Sequence, residues 1–258
     1  MSLPVKNAPK KKAGPPASSV PSGPSLLAPF SEGATPGPSS PAPFSEGAEA
    51  VLLSERFLSF PALKKVRLPK AYRPAALDSQ IRTGRTRVEA RLLSKSKSAG
   101  VPCPHVFSVG ADYILMEKLG GSTLNRLDKK KIPSWVWEKA GEFLARLHGA
   151  RITHGDYTPA NLMWDGKKEK TGARAGPQAT RGADPGHSLF VIDFGLGSIS
   201  PDIEDHAVDV LTMRNSISKK EAALFLSGYK AVAGEKTLKH MLRVEARARY
   251  CIRQGAVG

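Results

Sequence analysis

The fold of this chain is decided by the stretch from His154 to Gly195. It opens with His154-Gly155-Asp156-Tyr157-Thr158-Pro159-Ala160-Asn161 and closes with Val191-Ile192-Asp193-Phe194-Gly195. Phosphoryl transfer needs such a set, because one Asp orients the attacking hydroxyl while an Asn and a second Asp hold the magnesium that bridges the phosphates. Each tripeptide alone is a weak signal, but the ordered pair with an apolar strand leading into Asp193 is specific. The alternative is that Asp156 and Asn161 are turn residues and Asp193 caps a loop.

A candidate phosphate-binding region precedes this stretch. The small residues Gly47, Ala48, Glu49 and Ala50 form a predicted turn before the apolar run Val51-Leu52-Leu53, and such turns let backbone N–H groups approach phosphates. The following strand, Ala62-Leu63-Lys64-Lys65-Val66-Arg67, carries a lysine of the kind that pairs with α- and β-phosphates. Strand alternation places its two lysines on opposite faces, and we assign the phosphate role to Lys65.

The segment 78–99 is predicted as a helix, with Val88, Leu92 and Leu93 on its apolar face. Glu89 lies on this helix, directly after the lysine strand, and is the candidate partner of Lys65. The simpler alternative is that Glu89 makes surface ion pairs with the arginines around it.

Adenine contacts are predicted where the next strand ends. Tyr113-Ile114-Leu115-Met116-Glu117 has the composition of a strand, and Lys118-Leu119-Gly120-Gly121 breaks the pattern. A crossover between two lobes presents backbone groups to adenine, so we assign Glu117 and Leu119 to nucleotide binding.

Two further helices complete the pattern. The first runs from Trp135 to His148 with Ser134 as its predicted N-cap. The second is predicted to begin at Asp209, which leaves little room after Gly195 for an activation segment.

The chain carries a large positive charge, with a formal net charge of +16 over 258 residues. Such a charge favours a polyanionic partner, usually nucleic acid, although a solvated basic surface is the alternative. Eleven Lys and Arg lie between residues 64 and 97 against two acidic residues, and Arg243, Arg247, Arg249 and Arg253 are spaced for one helical face. We predict that both groups contact RNA.

Compartment and domain limits follow from composition. No run of about 18 apolar residues is present, so no membrane contact is expected. Cys103 and Cys251 are far apart, which fits a reducing cytoplasm, or also the nucleus in a eukaryotic source. Residues 1–44 are rich in Pro, Ser and Gly and are predicted to be disordered, and 166–188 is predicted as a flexible insertion in a hairpin.

Together these residues resemble one family, the small atypical protein kinase and ATPase of the KEOPS (EKC) complex, also called the bud-site-selection kinase. The resemblance covers about residues 45–258. The matching stretches are Glu46-Gly47-Ala48-Glu49-Ala50, Lys65-Val66-Arg67-Leu68-Pro69-Lys70-Ala71-Tyr72-Arg73, Arg85-Thr86-Arg87-Val88-Glu89-Ala90, His154-Gly155-Asp156, Ile192-Asp193-Phe194-Gly195-Leu196-Gly197 and Glu204-Asp205-His206-Ala207-Val208-Asp209.

The resemblance implies an α+β, bilobal protein-kinase-like fold. It places a small β-rich N-lobe at about 45–117 and a reduced helical C-lobe at about 118–258. It also implies Ser/Thr protein kinase and ATPase activity, and a complex with the tRNA threonylcarbamoyl-adenosine synthase subunit and other KEOPS subunits.

The same resemblance assigns roles to the residues of the motifs. It implies ATP and Mg²⁺ as cofactors, with Asp156 as catalytic base, Asn161 and Asp193 as metal ligands, and Lys65 as phosphate anchor.

Two other functions remain as alternatives. A small-molecule phosphotransferase of the aminoglycoside-kinase type also uses His-Gly-Asp and a later Asp, but Asp-Phe-Gly-Leu-Gly and Lys-x-Arg-x-x-Lys-x-Tyr-Arg favour the KEOPS kinase. The second alternative is a non-catalytic tRNA-binding scaffold, against which the presence of Asp156, Asn161 and Asp193 argues.

Overall fold

The computed structural model describes residues 43–46, 50–167 and 188–255, with residues 43–46 and 248–255 described by their backbone alone. Of the tail predicted to be disordered at 1–44, residues 1–42 lie outside the described chain, whereas Pro43 and Phe44 belong to a strand, so the predicted boundary was wrong there. Gly47, Ala48 and Glu49 also lie outside the described residues. Within the described part of the chain, no helix is both long and apolar enough to cross a membrane.

A five-stranded antiparallel sheet forms the N-terminal part. Its order is β1-β2-β3-β5-β4, so the lysine-bearing strand β3 is central. The strands are β1 (Pro43–Glu46), β2 (Ala50–Phe57), β3 (Phe60–Arg67), β4 (Val106–Val109) and β5 (Tyr113–Glu117). Because β3 pairs along its length with β2 and β5, its side chains are held in a fixed register.

Helix α1 (Ala75–Ser98) follows β3 and includes the predicted segment 78–99 except its last residue. Leu92 and Leu93 are buried as predicted, but the prediction for Val88 was wrong, because its side chain is 45% exposed. The inner face of α1 also carries the buried polar residues Asp78, Thr86 and Glu89. This helix therefore faces charged groups of β3 as well as the core, which a purely apolar pattern does not detect.

The C-terminal part is helical. Its helices are α2 (Ser134–Gly149), α3 (Ile203–Ser216), α4 (Lys219–Ala233) and α5 (Lys236–Gly255). The predicted α+β class, with a β-rich N-terminal part and a helical C-terminal part, is confirmed.

Two predicted helix starts were wrong. Ser134 is the first helical residue and makes no side-chain cap bond, since Pro133 is the N-cap. Asp209 lies in the middle of α3, which begins earlier because the Asp202 carboxylate caps it by accepting the Glu204 N–H.

Short strands connect the two parts around the predicted motifs. They are β6 (Ser122–Thr123), β7 (Ile152–Thr153), β8 (Leu162–Trp164), β9 (Leu189–Val191) and β10 (Ser198–Ile199). Strands β8 and β9 pair antiparallel, so the insertion predicted at 166–188 connects the two strands of a hairpin. The structure describes both of these strands. Residues 168–187 lie outside the described chain. Strand β10 pairs with β7 directly after Asp-Phe-Gly, and α3 follows within a few residues.

Helices α2 and α4 make the closest contact in the helical part. A Cβ added to Gly228 of α4 would lie 1.9 Å from the Glu138 carbonyl oxygen of α2. A Cβ added to Gly141 of α2 would lie 2.0 Å from the Phe225 carbonyl oxygen of α4. Reciprocal glycines therefore let two backbones touch, and this contact fixes α4 against the helix that precedes the loop 154–161, which carries the predicted base Asp156 and is called the catalytic loop below.

Gly228→Ala is expected to destabilise the protein by about 3 kcal/mol, because backbone atoms cannot move aside as a flexible side chain would. Urea unfolding measures the effect. The matched control is Gly84→Ala in α1, where an added Cβ meets nothing within 4 Å. That substitution should stabilise the protein by about 0.5–1 kcal/mol through helix propensity. Equal stability of Gly228→Ala and wild type would disprove the close contact.

Candidate active site

A buried ion cluster joins β3, α1 and the Asp-Phe-Gly segment. The Lys65 Nζ lies 2.7 Å from Glu89 Oε1 and 2.7 Å from Asp193 Oδ1. Lys64 points to the other face of the sheet, where its Nζ lies 3.3 Å from Glu55 Oε1 and 4.7 Å from the centre of the Tyr113 ring. The structure thus brings together the predicted residues Lys65, Glu89 and Asp193.

Arg67 belongs to this cluster, although no role was predicted for it from the sequence. Its Nη2 donates to Glu89 Oε2, and its side chain is 5% exposed. One carboxylate therefore holds two cations, one on each oxygen. The spacing Lys65-x-Arg67 was the available signal, because residues two apart on a strand share a face. Glu89 is 2% exposed, so its interpretation as a surface ion-pair partner was wrong.

Burial and charge act in opposite directions on the cluster. Burial lowers the pKa of Lys65, but the carboxylates of Glu89 and Asp193 outweigh it and raise the pKa above the usual value. Burial likewise raises the pKa of Asp193, but Lys65 and the Gly195 N–H lower it overall. Both groups are therefore charged at neutral pH, as an ion-binding site requires.

Asp193 is held in an unusual backbone conformation. Its φ is +59°, which is uncommon for a residue other than glycine. The next residue, Phe194, is fully buried in the core, while the Gly195 N–H donates to Asp193 Oδ1 at 3.1 Å. The buried ring and this turn hold the carboxylate towards Lys65, and the Asp193 side chain remains 51% exposed.

The catalytic loop carries the second group of predicted residues. Asn161 Nδ2 donates to the Asp156 backbone carbonyl at 2.8 Å and to Asp156 Oδ2 at 2.9 Å. The Ile192 N–H donates to the Asn161 carbonyl at 2.9 Å, and His154 Nε2 lies 3.1 Å from the Ile192 carbonyl oxygen. These bonds join the loop to the residue before Asp193. Burial lowers the pKa of His154, although the Asp209 carboxylate and the hydrogen bond to the Ile192 carbonyl act in the opposite direction.

Asp209 anchors this loop, a role that was not predicted from the sequence. Its Oδ2 accepts the His154 N–H at 2.7 Å and its Oδ1 accepts the Gly155 N–H at 2.9 Å. Asp209 is 2% exposed in the middle of α3. The signal was an acid among apolar neighbours, Ala207-Val208-Asp209-Val210-Leu211, because a carboxylate on a buried helix face needs donors.

The residues present fit a magnesium ion. Both partners of the Asn161 amide NH₂ are acceptors, so the amide nitrogen must face Asp156 and the amide oxygen is left for another ligand. Magnesium is bound in such sites by one or two protein oxygens, together with waters and phosphate oxygens. The described residues contain no group of three or more His, Cys, Asp or Glu suited to a metal. The candidate ligands are the predicted ones, the amide oxygen of Asn161 and the half-exposed carboxylate of Asp193.

The predicted nucleotide-binding residues are only partly described. Ala50 begins β2 and lies opposite Arg67 in the β2–β3 pair, close to the ion cluster. Glu117 ends β5, and its N–H donates to the carbonyl of His105, the residue before β4, at 2.8 Å. Leu119 follows in the crossover, and its backbone makes no hydrogen bond with the described part of the chain.

Comparisons with known proteins identify relatives. A family model described as "RIO domain" matches residues 68–172. The chain is 34% identical over 190 residues to the EKC/KEOPS complex subunit BUD32 of Encephalitozoon cuniculi, covering 72% of this chain and 86% of that protein. It is 31% identical over 193 residues to the probable serine/threonine-protein kinase BUD32 homolog of Archaeoglobus fulgidus, covering 72% and 87%.

A second group of relatives is longer. The probable bifunctional tRNA threonylcarbamoyladenosine biosynthesis protein of Methanobrevibacter smithii is 34% identical over 215 residues. The alignment covers 79% of this chain and 36% of that protein. The chain therefore spans about a third of the length of the bifunctional relatives.

Solved structures confirm the kinase-like fold. WaaP, solved in complex with acyl carrier protein, matches with a TM-score of 0.53 at 15% identity, covering 84% of this chain and 88% of that one. The Rio2 kinase of Chaetomium thermophilum, in an ADP/Mg²⁺–phosphoaspartate complex, matches with a TM-score of 0.52 at 12% identity, covering 79% and 70%.

Glu89→Gln is expected to destabilise the fold by about 3 kcal/mol, because it leaves Lys65 and Arg67 as buried cations without their shared carboxylate. Thermal and urea unfolding measure the change. The matched control is Glu55→Gln, which removes a carboxylate paired with Lys64. In this pair both side chains are about 30% exposed, unlike Glu89. That control should change stability by less than about 1 kcal/mol. Equal effects of the two substitutions would contradict the role of the buried carboxylate.

Proposed function

The chain belongs to the BUD32 family, and we propose that it is an ATP-dependent Ser/Thr protein kinase and ATPase that supports threonylcarbamoyl-adenosine modification of tRNA as a KEOPS subunit. Relatives of which the chain covers more than four fifths carry the names KEOPS subunit and serine/threonine-protein kinase. The bifunctional relatives carry the name of the tRNA modification.

The observation that carries the proposal is the position of Lys65 between Glu89 and Asp193. A lysine fixed in this way can pair with the α- and β-phosphates of ATP. Asp193 and Asn161 would hold the ion, which supplies stabilisation of the negative charge that develops on the phosphoryl group. Such charge stabilisation is the main requirement of the reaction.

Asp156 is the proposed catalytic base. The Asn161 amide holds Asp156 Oδ2 at 2.9 Å, which orients the carboxylate while its other oxygen can receive the hydroxyl proton of a substrate or water. The adenine would contact the backbone at Glu117 and Leu119. The region of Gly47, Ala48, Glu49 and Ala50 would cover the phosphates.

The loop geometry argues against control by activation-loop phosphorylation. Regulated protein kinases have Arg where this chain has Gly155. At Gly155 the φ is +78° and an added Cβ would lie 2.3 Å from the Leu196 carbonyl oxygen, so no side chain fits there. The segment between Gly195 and α3 is only a few residues long and pairs with β7 through β10. A phosphorylated loop would therefore have neither its arginine nor the necessary length.

The partners are proposed from the relatives and from charge. In the bifunctional proteins the matching region is about a third of the chain, so we propose that a separate synthase subunit supplies the other function. The structure divides the basic residues into two classes. Lys65, Arg67 and Arg82 make internal ion pairs, whereas Arg87 and Arg91 on α1 and Arg243 on α5 are exposed. Arg247 pairs with Glu204 at 2.7 Å, so it also holds α5 on α3.

A cytoplasmic location, or also a nuclear one in a eukaryotic source, stays a prediction. Cys103 fits it as a packed thiol, because burial raises its pKa to about 12.

Asp193→Ala is expected to lower ATP turnover at least about 100-fold, which is about 2.7 kcal/mol of lost transition-state stabilisation. Phosphate release from ATP is measured with Mg²⁺ and with EDTA, with and without tRNA and a synthase subunit. The control is Asp165→Ala, which removes a carboxylate that pairs with Lys167 outside the site. Turnover of Asp193→Ala within about threefold of wild type, or about 0.7 kcal/mol, would rule out the role.

The double substitution Arg87→Glu/Arg91→Glu is expected to weaken tRNA binding and to flatten its salt dependence by roughly one unit for each phosphate that the variant no longer neutralises. Binding is titrated at several salt concentrations. Lys219→Glu/Lys220→Glu at the start of α4 makes the same change of charge outside the exposed arginines of α1 and α5. Identical salt slopes for wild type and the arginine variant would exclude this surface from tRNA binding.

A further inference from the structure

A buried polar chain connects α4 to the catalytic loop. The Tyr229 hydroxyl on α4 lies 2.7 Å from His148 Nδ1 on α2. On the other side of the imidazole, His148 Nε2 lies 3.3 Å from Asp209 Oδ2 on α3. Asp209 in turn accepts the backbone N–H groups of His154 and Gly155. The two residues behind the anchor, Tyr229 and His148, are not used by the proposed function.

The direction of each hydrogen bond in the chain can be deduced. The Asp209 carboxylate only accepts, so His148 Nε2 must carry its proton and donate to it. Burial lowers the pKa of His148, which is therefore neutral at neutral pH, and its Nδ1 is left as an acceptor. Burial raises the pKa of Tyr229 to about 12, so its hydroxyl keeps its proton and donates to Nδ1. The Tyr229 hydroxyl and His148 Nε2 thus both donate in the direction of Asp209.

This direction gives Tyr229 a defined effect. Its hydroxyl selects the imidazole tautomer that donates to Asp209, and without it the ring can place its proton on Nδ1 instead. An unprotonated Nε2 would then face the Asp209 carboxylate. Because both groups are acceptors, they would repel each other, and Asp209 would be displaced from the loop. Tyr229 is held rigidly relative to His148, because the glycine contact between α2 and α4 fixes the two helices against each other.

We propose that Tyr229 and His148 are positioning residues that hold Asp209, and through it the backbone before Asp156, in the geometry needed for phosphoryl transfer. The proposal rests on the proposed function for its kinetic consequence. Its structural consequence, the order of the His154 and Gly155 backbone, can be measured without any activity.

Tyr229→Phe is the first test, because it keeps the buried ring and removes only the hydroxyl. We expect kcat to fall about three- to tenfold, the loss expected for one hydrogen bond. The KM for ATP should not change, because Lys65, Glu89 and Asp193 contact neither residue of the chain. His148→Phe removes the next member. The double variant should lose no more kcat than His148→Phe alone, since the Tyr229 hydroxyl reaches Asp209 only through the imidazole, and its other side-chain hydrogen bond is to Thr237.

A matched control separates positioning from general destabilisation. The control is Ala222→Gly on the same helix, about two turns from Tyr229. Through its lower helix propensity, this substitution should cost about as much stability as Tyr229→Phe. It should lower the melting temperature and leave kcat unchanged well below that temperature. The proposal would be overturned if the losses of kcat in Tyr229→Phe and His148→Phe added together in the double variant. It would also be overturned if Ala222→Gly lost as much kcat as Tyr229→Phe.

Hydrogen exchange separates failure of this proposal from failure of the proposed function. In Tyr229→Phe, amide exchange at His154 and Gly155 should become about fivefold faster than in wild type, while exchange in the β2–β3 hairpin stays the same. Unchanged exchange at both amides would overturn the positioning role, whatever the activity. Faster exchange in a protein that never turns over ATP would support the positioning chain and would contradict only the proposed enzyme activity.

Discussion

The Glu89 carboxylate is the interaction on which the site depends. It is almost fully buried and bonds to Lys65 with one oxygen and to Arg67 with the other. A buried carboxylate with two cations is costly to desolvate, so the arrangement is maintained only where all partners are satisfied. It fixes α1 to the central strand of the sheet and turns Lys65 towards Asp193. Without it, Lys65 and Arg67 would be buried cations without their shared carboxylate.

The helical part uses a second buried carboxylate for the same purpose. Asp209 accepts two backbone N–H groups of the catalytic loop, so α3 fixes the loop from behind, while Asn161 fixes Asp156 from within it. The loop is also bonded to Ile192, the residue before Asp193. The two halves of the site are thus set by fixed backbone contacts. Such preorganisation suits phosphoryl transfer, in which positioning and charge stabilisation dominate.

Basic residues in this protein serve two different ends. The stretch 64–97 is a single basic surface when read from the sequence, but Lys65, Arg67 and Arg82 make ion pairs within the fold. Arg247 likewise pairs with Glu204 and joins α5 to α3. Within these two groups, the exposed arginines include Arg87 and Arg91 on α1 and Arg243 on α5, and other exposed lysines lie elsewhere, such as Lys219 and Lys220 on α4. Net charge describes attraction for polyanions, whereas pairing decides which residues can take part in it.

The sequence by itself determined the order of the motifs and the α+β class, because strand periodicity and motif spacing are local properties. Strand periodicity placed Lys64 and Lys65 on opposite faces, but only the tertiary structure showed that Lys65 is the one that meets Glu89 and Asp193. Only the tertiary structure showed that Arg67 shares Glu89, that Val88 is exposed and that Asp209 lies inside α3. Those facts depend on which helix faces which strand, and residues 89 and 193 meet Lys65 only after the chain has folded. The order of the motifs suggested Glu89 as the partner of Lys65, but packing decided that Arg67 shares this carboxylate and that Asp209 accepts two backbone N–H groups of the loop.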